Sequence, residues 1–321
     1  MKTQSTIVTI TLNPCIDRSA SVSELIAEKK LKCSSPTLEP GGGGLNVSRA
    51  IKKLGGKAVA IYLAGGYTGE FLKELLNREE IPAACLKIHH ETRENFIILE
   101  ESTNRQYRLG MPGPTVEEYE WQQVLSQLAA IEDPGYVVAS GSICPGMSAD
   151  IFARIGQIAK AKNAKFIVDT SGEPLKLAVK EGVYMIKPNL AELAALAGKS
   201  VLNSDETVDV ARELVNKGKC EIIVVSQGAK GAMLVTANHL QWFKPPSRKI
   251  KSTVGAGDSM VAGIVLSLAK GNDVNQATAF GVACGTAATM NPGTELCHAK
   301  DVAELHHFIS SWVKPRLTQS L

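Results

Sequence analysis

Aromatic residues are scarce in this chain of 321 residues, because Phe, Tyr and Trp together make up only 5% of it. Proteins that bind single-stranded nucleic acid stack bases on aromatic side chains, so this scarcity disfavours that class. An excess of charge of one sign is also missing: 35 Lys and Arg residues face 32 Asp and Glu residues, and the formal net charge is +3. A chain with nearly balanced charge lacks the excess of basic residues that binds nucleic acid or an anionic membrane. We therefore expect neither as a partner.

Long hydrophobic runs and paired cysteines are missing as well. No apolar stretch approaches the ~20 residues that a membrane-spanning helix needs. The run IVTITL at residues 7–12 is too short and too rich in threonine for a signal peptide and is typical of a buried strand. The seven cysteines are widely spaced and form no C-x-x-C motif, which disfavours a disulfide framework or a zinc site. These features predict a cytoplasmic protein with reduced thiols.

Short β-rich runs alternate with helical patterns along most of the chain. The strand candidates are residues 7–12, 58–63, 136–140, 165–169, 184–187 and 221–226. The helix candidates are residues 46–54, 116–131, 149–162 and 206–217. This alternation predicts an α/β protein of three layers, α/β/α, with a mainly parallel central sheet. Ligands of such sheets bind at the carboxyl ends of the strands, so the loops there are the first candidates for a functional site.

Two segments interrupt the alternation. Residues 19–39 show no clear helical period, and residues 95–111 have the pattern of a hairpin, with strands at 96–100 and 106–109 around a Ser-Thr-Asn turn. Both segments are predicted to form a small β-sheet lid beside the main sheet. The chain shows no internal repeat, low-complexity tract or linker, which favours a single domain over residues 1–321 with this lid.

The strongest chemical motif is STVGAGD at residues 252–258, which precedes a helical pattern. Gly255 and Gly257 allow the backbone to pass close to a ligand, and the free N–H groups at a helix start favour an anion. A carboxylate beside an anion-binding turn is the combination that phosphoryl transfer to an alcohol requires, with Asp258 as the base. The alternative is structural, because Asp is also a favoured N-cap of helices.

A second glycine-rich motif is EPGGGGLN at residues 39–46, again just before a helical pattern. Four successive glycines cost considerable chain entropy, so a plain turn explains them poorly. Close approach of the backbone to a polyhydroxy ligand explains them better, with the Asn46 amide both donating and accepting. The dinucleotide fingerprint G-x-G-x-x-G is not met, because Asn46 stands where its third glycine belongs. This disfavours a nicotinamide-dependent oxidoreductase.

Three weaker motifs also follow predicted strands. KPNxxE at residues 187–192 is either part of a nucleotide site or an ordinary helix start after a proline. SQGAKG at residues 226–231 either holds a nucleotide or forms only a turn. NPCID at residues 13–17 ends the first strand and brings Asp17 to the expected ligand edge. The GKS at residues 198–200 is not a P-loop, because Leu193 occupies the position of the required first glycine.

Together these motifs resemble the PfkB, or ribokinase-like, family of carbohydrate kinases. The resemblance extends from about residue 7 to the last predicted helix near residue 312, and its two signatures are the glycine run with Asn46 and the GAGD turn at residues 255–258. Within the family the sequence is most similar to the minor bacterial 6-phosphofructokinase branch, on the segments KLKC at 30–33, TREN at 92–95 and SGS at 140–142. The related 1-phosphofructokinases and tagatose-6-phosphate kinases share much of this pattern.

The resemblance implies ATP-dependent, magnesium-dependent phosphorylation of fructose 6-phosphate at its C1 hydroxyl. Asp258 would be the general base, and the amides of Gly255, Ala256 and Gly257 would form the anion hole. The same chemistry on tagatose 6-phosphate or fructose 1-phosphate is the alternative, because one sequence does not distinguish such close substrates. A catalytically silent sugar-binding regulator on this fold is a further alternative, which the intact Asp258 and glycines disfavour.

The resemblance also assigns the remaining ligand contacts. The sugar hydroxyls are assigned to Asp17, Gly42, Gly43 and Asn46, and the substrate phosphate to Lys30, Arg93 and Ser142. The ATP side is assigned to Lys187, Asn189, Ser226, Gly228, Gly231, Ser252, Thr253 and Thr286, with Glu192 ordering magnesium through water. A potassium ion is assigned to carbonyls near Ser252, Val254, Ala288, Asn291 and Gly293.

The chain departs from the family pattern at two positions. Many family members begin the second signature with Asp where this chain has Ser252, which leaves dependence on a monovalent cation open. Lys32 stands where the most similar members often carry Arg, and a lysine does not make a bidentate phosphate contact.

The hairpin has apolar residues on both faces, Phe96 and Ile98 against residues 97 and 99, which a small isolated sheet would not bury. This predicts a homodimer in which two lids pack face to face, as in relatives of this type.

Overall fold

The apolar run at residues 7–12 forms an interior strand of the central sheet, with further strands on both sides of it. The computed structural model describes residues 5–312. Their strands are β1 (Ile7–Thr11), β2 (Cys15–Val22), β3 (Thr37–Gly41), β4 (Val59–Ala64), β5 (Ala83–Lys87), β6 (Arg93–Glu100), β7 (Arg105–Leu109), β8 (Tyr136–Ser140), β9 (Lys165–Asp169), β10 (Val183–Ile186), β11 (Cys220–Ser226), β12 (Ala232–Thr236) and β13 (His239–Phe243). Nine of them form one sheet in the order β13-β12-β11-β10-β9-β8-β1-β4-β5.

This sheet is parallel from β5 to β11, and β12 and β13 add an antiparallel edge. After β1 the chain builds β4 and β5 on one side, and it then returns to build β8 and the later strands on the other side. The carboxyl ends of β1 and β8 are therefore the topological switch point, where ligands of doubly wound sheets bind.

Helices cover both faces of the sheet. They are α1 (Gly43–Lys53), α2 (Gly66–Arg78), α3 (Glu118–Ala130), α4 (Ile151–Ala161), α5 (Gly172–Glu181), α6 (Leu190–Leu196), α7 (Ser204–Asn216), α8 (Ala256–Ala269), α9 (Val274–Thr289) and α10 (Ala299–Trp312). Alternate residues of β8 belong to different cores: Val137 packs with the layer of α3 to α7, and Val138 packs with the layer of α1 and α8 to α10. Both clusters consist of buried apolar side chains on opposite faces of the sheet, so the predicted three-layer fold is confirmed.

Several predicted boundaries are displaced by helix caps that the hydrophobic pattern does not reveal. Helix α3 begins two residues later than predicted, because Glu117 is its N-cap and forms a capping box with Glu120. Helix α7 begins two residues earlier than predicted, because Asn203 caps it in the same way with Glu206. Both capping boxes are visible in the sequence as a polar residue followed three positions later by Glu.

The small sheet, defined here as β2, β3, β6 and β7, has the order β3-β2-β6-β7. The predicted hairpin is present as β6 and β7, and Asn104 in its turn has a φ of +53°. Of the predicted lid segment 19–39, residues 19–22 and 37–39 belong to β2 and β3 of this sheet. Strand β2 begins earlier, at Cys15, and residues 23–36 form a loop, because this polar, charged stretch has no alternating apolar residues to bury.

The register of the small sheet decides which side chains point towards the main body. Ile97 shares the inward face with Asp17 and is only 5% exposed. The opposite face carries Phe96 and Leu109, which are 37% and 51% exposed. The apolar outward face therefore belongs to the even-numbered residues of β6 rather than to Ile97 or Leu99.

A helix that crosses a bilayer must be both long and apolar. Among residues 5–312, no helix combines enough length with enough apolar character to cross a membrane.

Candidate active site

The GAGD turn forms the start of helix α8. Gly255 is the N-cap with a φ of +72°, a conformation that favours glycine, and a Cβ there would also approach Leu296 to 2.8 Å. The helix begins at Ala256, so Asp258 lies in its first turn and makes no side-chain capping hydrogen bond. The capping alternative for Asp258 is therefore wrong. The free amides of this turn remain available to an anion.

The carboxylate of Asp258 lies in a half-buried position among other charged groups. Its Oδ2 accepts a 2.9 Å hydrogen bond from Nδ2 of Asn46. Burial raises the pKa of Asp258 to about 6, and the nearby carboxylates of Asp169 and Asp17 act in the same direction. The Asn46 hydrogen bond and the charge on Lys187 oppose this rise in pKa. A carboxylate that titrates near 6 is ionised at neutral pH and still basic enough to accept a proton from an alcohol.

Asn46 is held in a fixed orientation by the neighbouring turn of α1. Arg49 donates from Nη1 to Oδ1 of Asn46 at 3.3 Å, which leaves the amide nitrogen directed at Asp258. The Arg49 guanidinium is itself buried and pairs with Glu79 at 2.7 Å and with Glu39 at 3.4 Å. Sequence reasoning missed Arg49, although its spacing of three from Asn46 places both on one side of the helix.

The glycine run brings the start of α1 onto the carboxyl ends of two central strands. Gly42 has a φ of +112°, and a Cβ there would lie 2.7 Å from Thr11 Cγ2. A Cβ on Gly43 would overlap Ser140 at the end of β8, and one on Gly44 would overlap the carbonyl of Ile10 in β1. Packing within the chain therefore requires these glycines before any ligand is considered.

Asp17 belongs to the small sheet, not to the end of the first strand as the sequence indicated. It lies on β2, is 6% exposed and accepts a 3.0 Å hydrogen bond from Nδ2 of Asn95 on β6. Cys15 donates to the same oxygen, Oδ1, at 3.2 Å. A Cβ on Gly41 would lie 2.5 Å from Oδ2 of Asp17, so this carboxylate adjoins the glycine run, and its charge acts to raise the pKa of Asp258.

Arg93 and Ser142 come together around Asn13, which follows β1. Arg93 donates from Nη2 to the Asn13 carbonyl at 2.9 Å and from Nη1 to the Met111 carbonyl at 2.8 Å. Asn13 donates from Nδ2 to Ser142 Oγ at 3.1 Å. Among the residues described, Arg93 Nε and Asn13 Oδ1 are buried without a partner. Lys30 is not part of this group and lies exposed on the loop 23–36.

Lys187 supplies a buried cation on the other side of Asp258. Its side chain is 7% exposed, and Nζ lies 3.4 Å from Oδ1 of Asp169. Burial alone would lower the pKa of Lys187, but Asp169, Asp258 and Glu192 outweigh it and raise that pKa. A Cβ on Gly257 would lie 3.3 Å from Nζ, so the cation adjoins the anion-binding turn. Sequence reasoning missed Asp169, although it ends a predicted strand at the same edge.

Asn189 and Glu192 satisfy each other at the start of α6. Asn189 Oδ1 accepts from the Glu192 amide at 2.9 Å, and Glu192 Oε2 accepts from the Asn189 amide at 2.9 Å. The two bonds form a capping box, which gives both residues a structural role at the start of α6 and leaves Oε1 of Glu192 free of this pair. Burial raises the pKa of Glu192, and hydrogen bonding to Asn189 opposes that rise.

The segment after β11 forms a tight turn next to α6. The Ser226 amide donates to the Pro188 carbonyl at 2.9 Å, which joins the ends of the two neighbouring strands. Gly228 and Gly231 have φ values of +57° and +93°, and a Cβ on Gly231 would overlap the Phe243 carbonyl. The turn itself requires both glycines.

Comparison with known proteins decides the family. The sequence model of the pfkB family carbohydrate kinase matches residues 4–301. The chain belongs to the pfkB family of carbohydrate kinases. It is 41% identical to the ATP-dependent 6-phosphofructokinase isozyme 2 of Escherichia coli, over 95% of this chain and 99% of that protein. It is 32% identical to the 1-phosphofructokinase of Bacillus subtilis, over 90% of this chain and 95% of that protein.

A solved structure agrees with the family assignment. The crystal structure of phosphofructokinase-2 from Escherichia coli in complex with potassium matches this pfkB-family kinase with a TM-score of 0.92 at 40% identity, covering 95% of this chain and 99% of that one. The resemblance inferred from the two glycine signatures is confirmed.

In this pfkB-family kinase, Ser252 connects three segments around the GAGD turn. Its Oγ donates to the Gly293 carbonyl at 2.6 Å. It accepts from the Val254 amide at 3.2 Å and from Nε2 of Gln106 on β7, also at 3.2 Å. Beside it, Arg108 of β7 donates to the hydroxyl of Thr253. The small sheet of the kinase is thus hydrogen-bonded to the segment that leads into the anion-binding turn.

Thr286 lies within helix α9, near its C-terminal end. Its hydroxyl donates to the Val282 carbonyl one turn earlier at 2.7 Å, and the side chain is half-buried. This bond is a common arrangement for threonine within a helix and by itself indicates no ligand.

The oxygen atoms assigned to potassium lie in segments that meet at the end of α9. Ser252 contacts Gly293, and the Ser252 amide donates to the Thr289 carbonyl at 3.4 Å. Ala288 accepts from the Asn291 amide at 3.1 Å, where the chain leaves the helix. Backbone carbonyls at a helix C-terminus favour a cation, so this donor set fits potassium.

Magnesium has a weaker protein donor set. No group of three or more His, Cys, Asp or Glu residues within 5–312 is placed to hold a metal ion. Glu192 offers one carboxylate oxygen outside its capping bond. This fits magnesium, which is commonly held by one or two carboxylates together with water and substrate phosphates.

Proposed function

We propose that this kinase transfers the γ-phosphoryl group of ATP to the C1 hydroxyl of fructose 6-phosphate, producing fructose 1,6-bisphosphate and ADP. The observation that carries the proposal is the Asp258 carboxylate, which sits beside the open N-terminus of α8 with a pKa raised to about 6. The identity of 41% over almost the whole chain to a 6-phosphofructokinase supports this choice of substrate.

Asp258 acts on the nucleophile. As the C1 oxygen forms its bond to the γ-phosphorus, the hydroxyl proton passes to the Asp258 carboxylate and the bond from phosphorus to the ADP oxygen breaks. The amides of Gly255, Ala256 and Gly257 donate to the oxygens of the transferring group, which carry developing negative charge. Lys187 adds a fixed cation next to Gly257, with Asp169 holding its ammonium group.

The substrate binds between the switch point and the small sheet, which acts as its lid within a single domain. Asp17, Gly42, Gly43 and Asn46 hold the sugar hydroxyls in this proposal. Arg93 and Ser142, which meet around Asn13, receive the phosphate already on the substrate. Lys30 contributes when the loop 23–36 lies over the site.

The nucleotide binds along the carboxyl ends of β10 and β11. Its contacts are proposed at Lys187, Asn189, Ser226, Gly228, Gly231, Ser252, Thr253 and Thr286. Glu192 would order magnesium through water, and the metal would supply charge to neutralise the phosphates. The carbonyls of Ser252, Val254, Ala288, Asn291 and Gly293 would hold potassium next to the loop that precedes the anion hole.

A homodimer through the small sheet is part of the proposal. Phe96, Tyr107 and Leu109 form an exposed apolar patch on its outward face. Pairing two such faces removes that patch from water. The cytoplasmic location expected from the reduced thiols stays a prediction.

The deciding experiment is a coupled ADP-release assay across fructose 6-phosphate, tagatose 6-phosphate, fructose 1-phosphate and free fructose. We expect the highest kcat/KM with fructose 6-phosphate. A higher value with either of the other phosphates would replace the substrate and keep the chemistry. No ADP release with any of the four compounds would favour a silent sugar-binding protein.

A further inference from the structure

A second cleft, of about 1090 Å³, lies beneath the outer half of the small sheet. Its walls come from the inward face of β2 and β6, from the C-terminal half of α1 and from the loops 249–251 and 292–295. Asp258, Asn46 and Lys187 do not line it, and of the residues assigned to potassium only Gly293 does. The cleft therefore excludes the proposed catalytic residues but adjoins them, because two of its lining residues, Arg49 and Gln106, contact Asn46 and Ser252.

The acidic side chains of this cleft are already paired. Glu79 pairs with Arg49 at 2.7 Å. Glu39 also contacts Arg49, at 3.4 Å, and accepts a hydrogen bond from the hydroxyl of Thr294. Glu295 lies 2.7 Å from Nε2 of His298. Arg49 neutralises one of the two carboxylates that it contacts, and the cationic side chains of the lining still outnumber its three carboxylates; these cations are Arg49, Lys52, Lys53, Lys249 and Lys251.

The cleft also contains lysines that lack such partners. Lys53, Lys249 and Lys251 line it, and among residues 5–312 their ammonium groups make no hydrogen bond or ion pair. Lys52, the fourth lysine of the cleft, is paired with Glu80 at 2.9 Å. The three lysines without a partner give the lining of the cleft an excess of positive charge, which favours the binding of an anion there.

The other side chains of the cleft indicate what kind of anion it fits. The hydroxyl of Ser19 is buried there without a partner within the described chain. Apolar side chains of Ile81, Ile97, Leu99 and Ile250 line another part of the wall. A pocket that joins a cationic group, free hydroxyls and apolar walls suits an organic molecule with a phosphate group. A phosphate monoester carries about −1.5 to −2 charge at neutral pH and matches the lysine cluster.

We propose that this cleft binds a phosphorylated small molecule at a site distinct from the catalytic one, with Lys53, Lys249 and Lys251 holding its phosphate. The proposal goes beyond the phosphofructokinase reaction and does not rest on it, because binding is measured without turnover.

The test is calorimetric titration of the full chain with inorganic pyrophosphate, which serves as the probe of the phosphate subsite. Three proteins are compared: wild type, the cleft variant K53Q/K249Q/K251Q, and the control K176Q/K180Q/K217Q. The control removes the same charge from exposed lysines outside the cleft. Wild type and control are expected to bind one more pyrophosphate per chain than the cleft variant. The catalytic turn is unchanged in all three, so its own anion binding cancels in the comparison.

Equal stoichiometry and affinity in all three proteins would overturn the proposal. Thermal melting checks that the variants are folded. If the cleft variant melts early, the single variants K53Q and K251Q replace it, and each is expected to weaken pyrophosphate binding about tenfold. Single variants that bind as tightly as wild type would also overturn the proposal. A failure of fructose 6-phosphate as substrate would leave these results unaffected, so the two proposals fail separately.

Discussion

The side-chain amide of Asn46 donates a 2.9 Å hydrogen bond to the carboxylate of Asp258, and this bond joins the N-terminal turns of α1 and α8. Arg49 holds the other end of the same amide at 3.3 Å. The two glycine-rich motifs of the sequence are therefore parts of one site. The bond also lowers the pKa of a carboxylate that burial would otherwise raise further.

Replacing Asp258 separates catalysis from folding. We expect Asp258→Asn to lower turnover by ~10²–10⁴-fold, the usual contribution of a positioned base, while ATP binding is kept. Because the folded pKa lies above the ordinary value of 3.8, the ionised carboxylate destabilises the folded state above pH 6. The Asn variant should then have a higher free energy of unfolding than wild type at pH 7, by up to roughly 3 kcal/mol, and a higher melting temperature. Both differences should vanish as the pH falls towards 4.

Asp209→Asn, on the exposed side of α7, is the matched control and should change neither property. Near wild-type turnover in the Asp258 variant together with a lower melting temperature would contradict the catalytic role.

The pH dependence of the reaction should report the same carboxylate. We expect kcat to fall as the pH drops through about 6, because protonated Asp258 does not accept the hydroxyl proton. Substrate phosphate also titrates near pH 6, so the midpoint alone does not identify the group. In Asn46→Leu the lost hydrogen bond should move the acid limb to higher pH. An acid limb that stays in place in this variant would assign it to another group.

Arg93 is expected to recognise the phosphate already present on the substrate. Arg93→Ala should raise the KM for fructose 6-phosphate about tenfold and that for ATP much less, and free fructose should be a poor substrate. Arg78→Ala is the control, since Arg78 pairs with Glu74 on the exposed surface of α2, outside the small sheet. Steady-state kinetics with each substrate varied in turn make the measurement. Equal activity on fructose and fructose 6-phosphate would favour a fructokinase.

The small sheet is expected to hold two copies of the chain together. Phe96→Asp places a charge on the exposed apolar face and should yield monomers with reduced activity, because the sheet over the substrate loses its support. Tyr119→Asp is the control, because Tyr119 is 67% exposed on α3, outside the small sheet. Light scattering measures the mass of each protein. A wild-type monomer with full activity at assay concentration would refute the dimer.

Ser252 should link the monovalent cation to catalysis. Its hydroxyl fixes both the Gly293 carbonyl and the Val254 amide, so Ser252→Ala should loosen the loop before the anion hole. We expect wild-type kcat to be higher in potassium than in sodium at equal ionic strength, and the variant to lose most of this difference. The same rate in both salts for wild type would argue against the potassium site.

Local patterns determined much of this protein. The alternation of strands and helices predicted the three layers, because each element carries its own hydrophobic period. The two glycine motifs located the site, because a backbone that must turn sharply or pass close to other atoms needs glycine wherever it occurs, as at Gly42 and Gly255.

Tertiary structure decided what depends on partners distant in the chain. The period of two divides β6 into two apolar faces, but only the packing of β2 and the main body shows that Ile97 is inside and Phe96 outside. The pairing of Lys187 with Asp169 likewise follows from the neighbouring strands β9 and β10. The pKa of Asp258 depends on burial and on charges from three other segments, and no local sequence pattern specifies those distances.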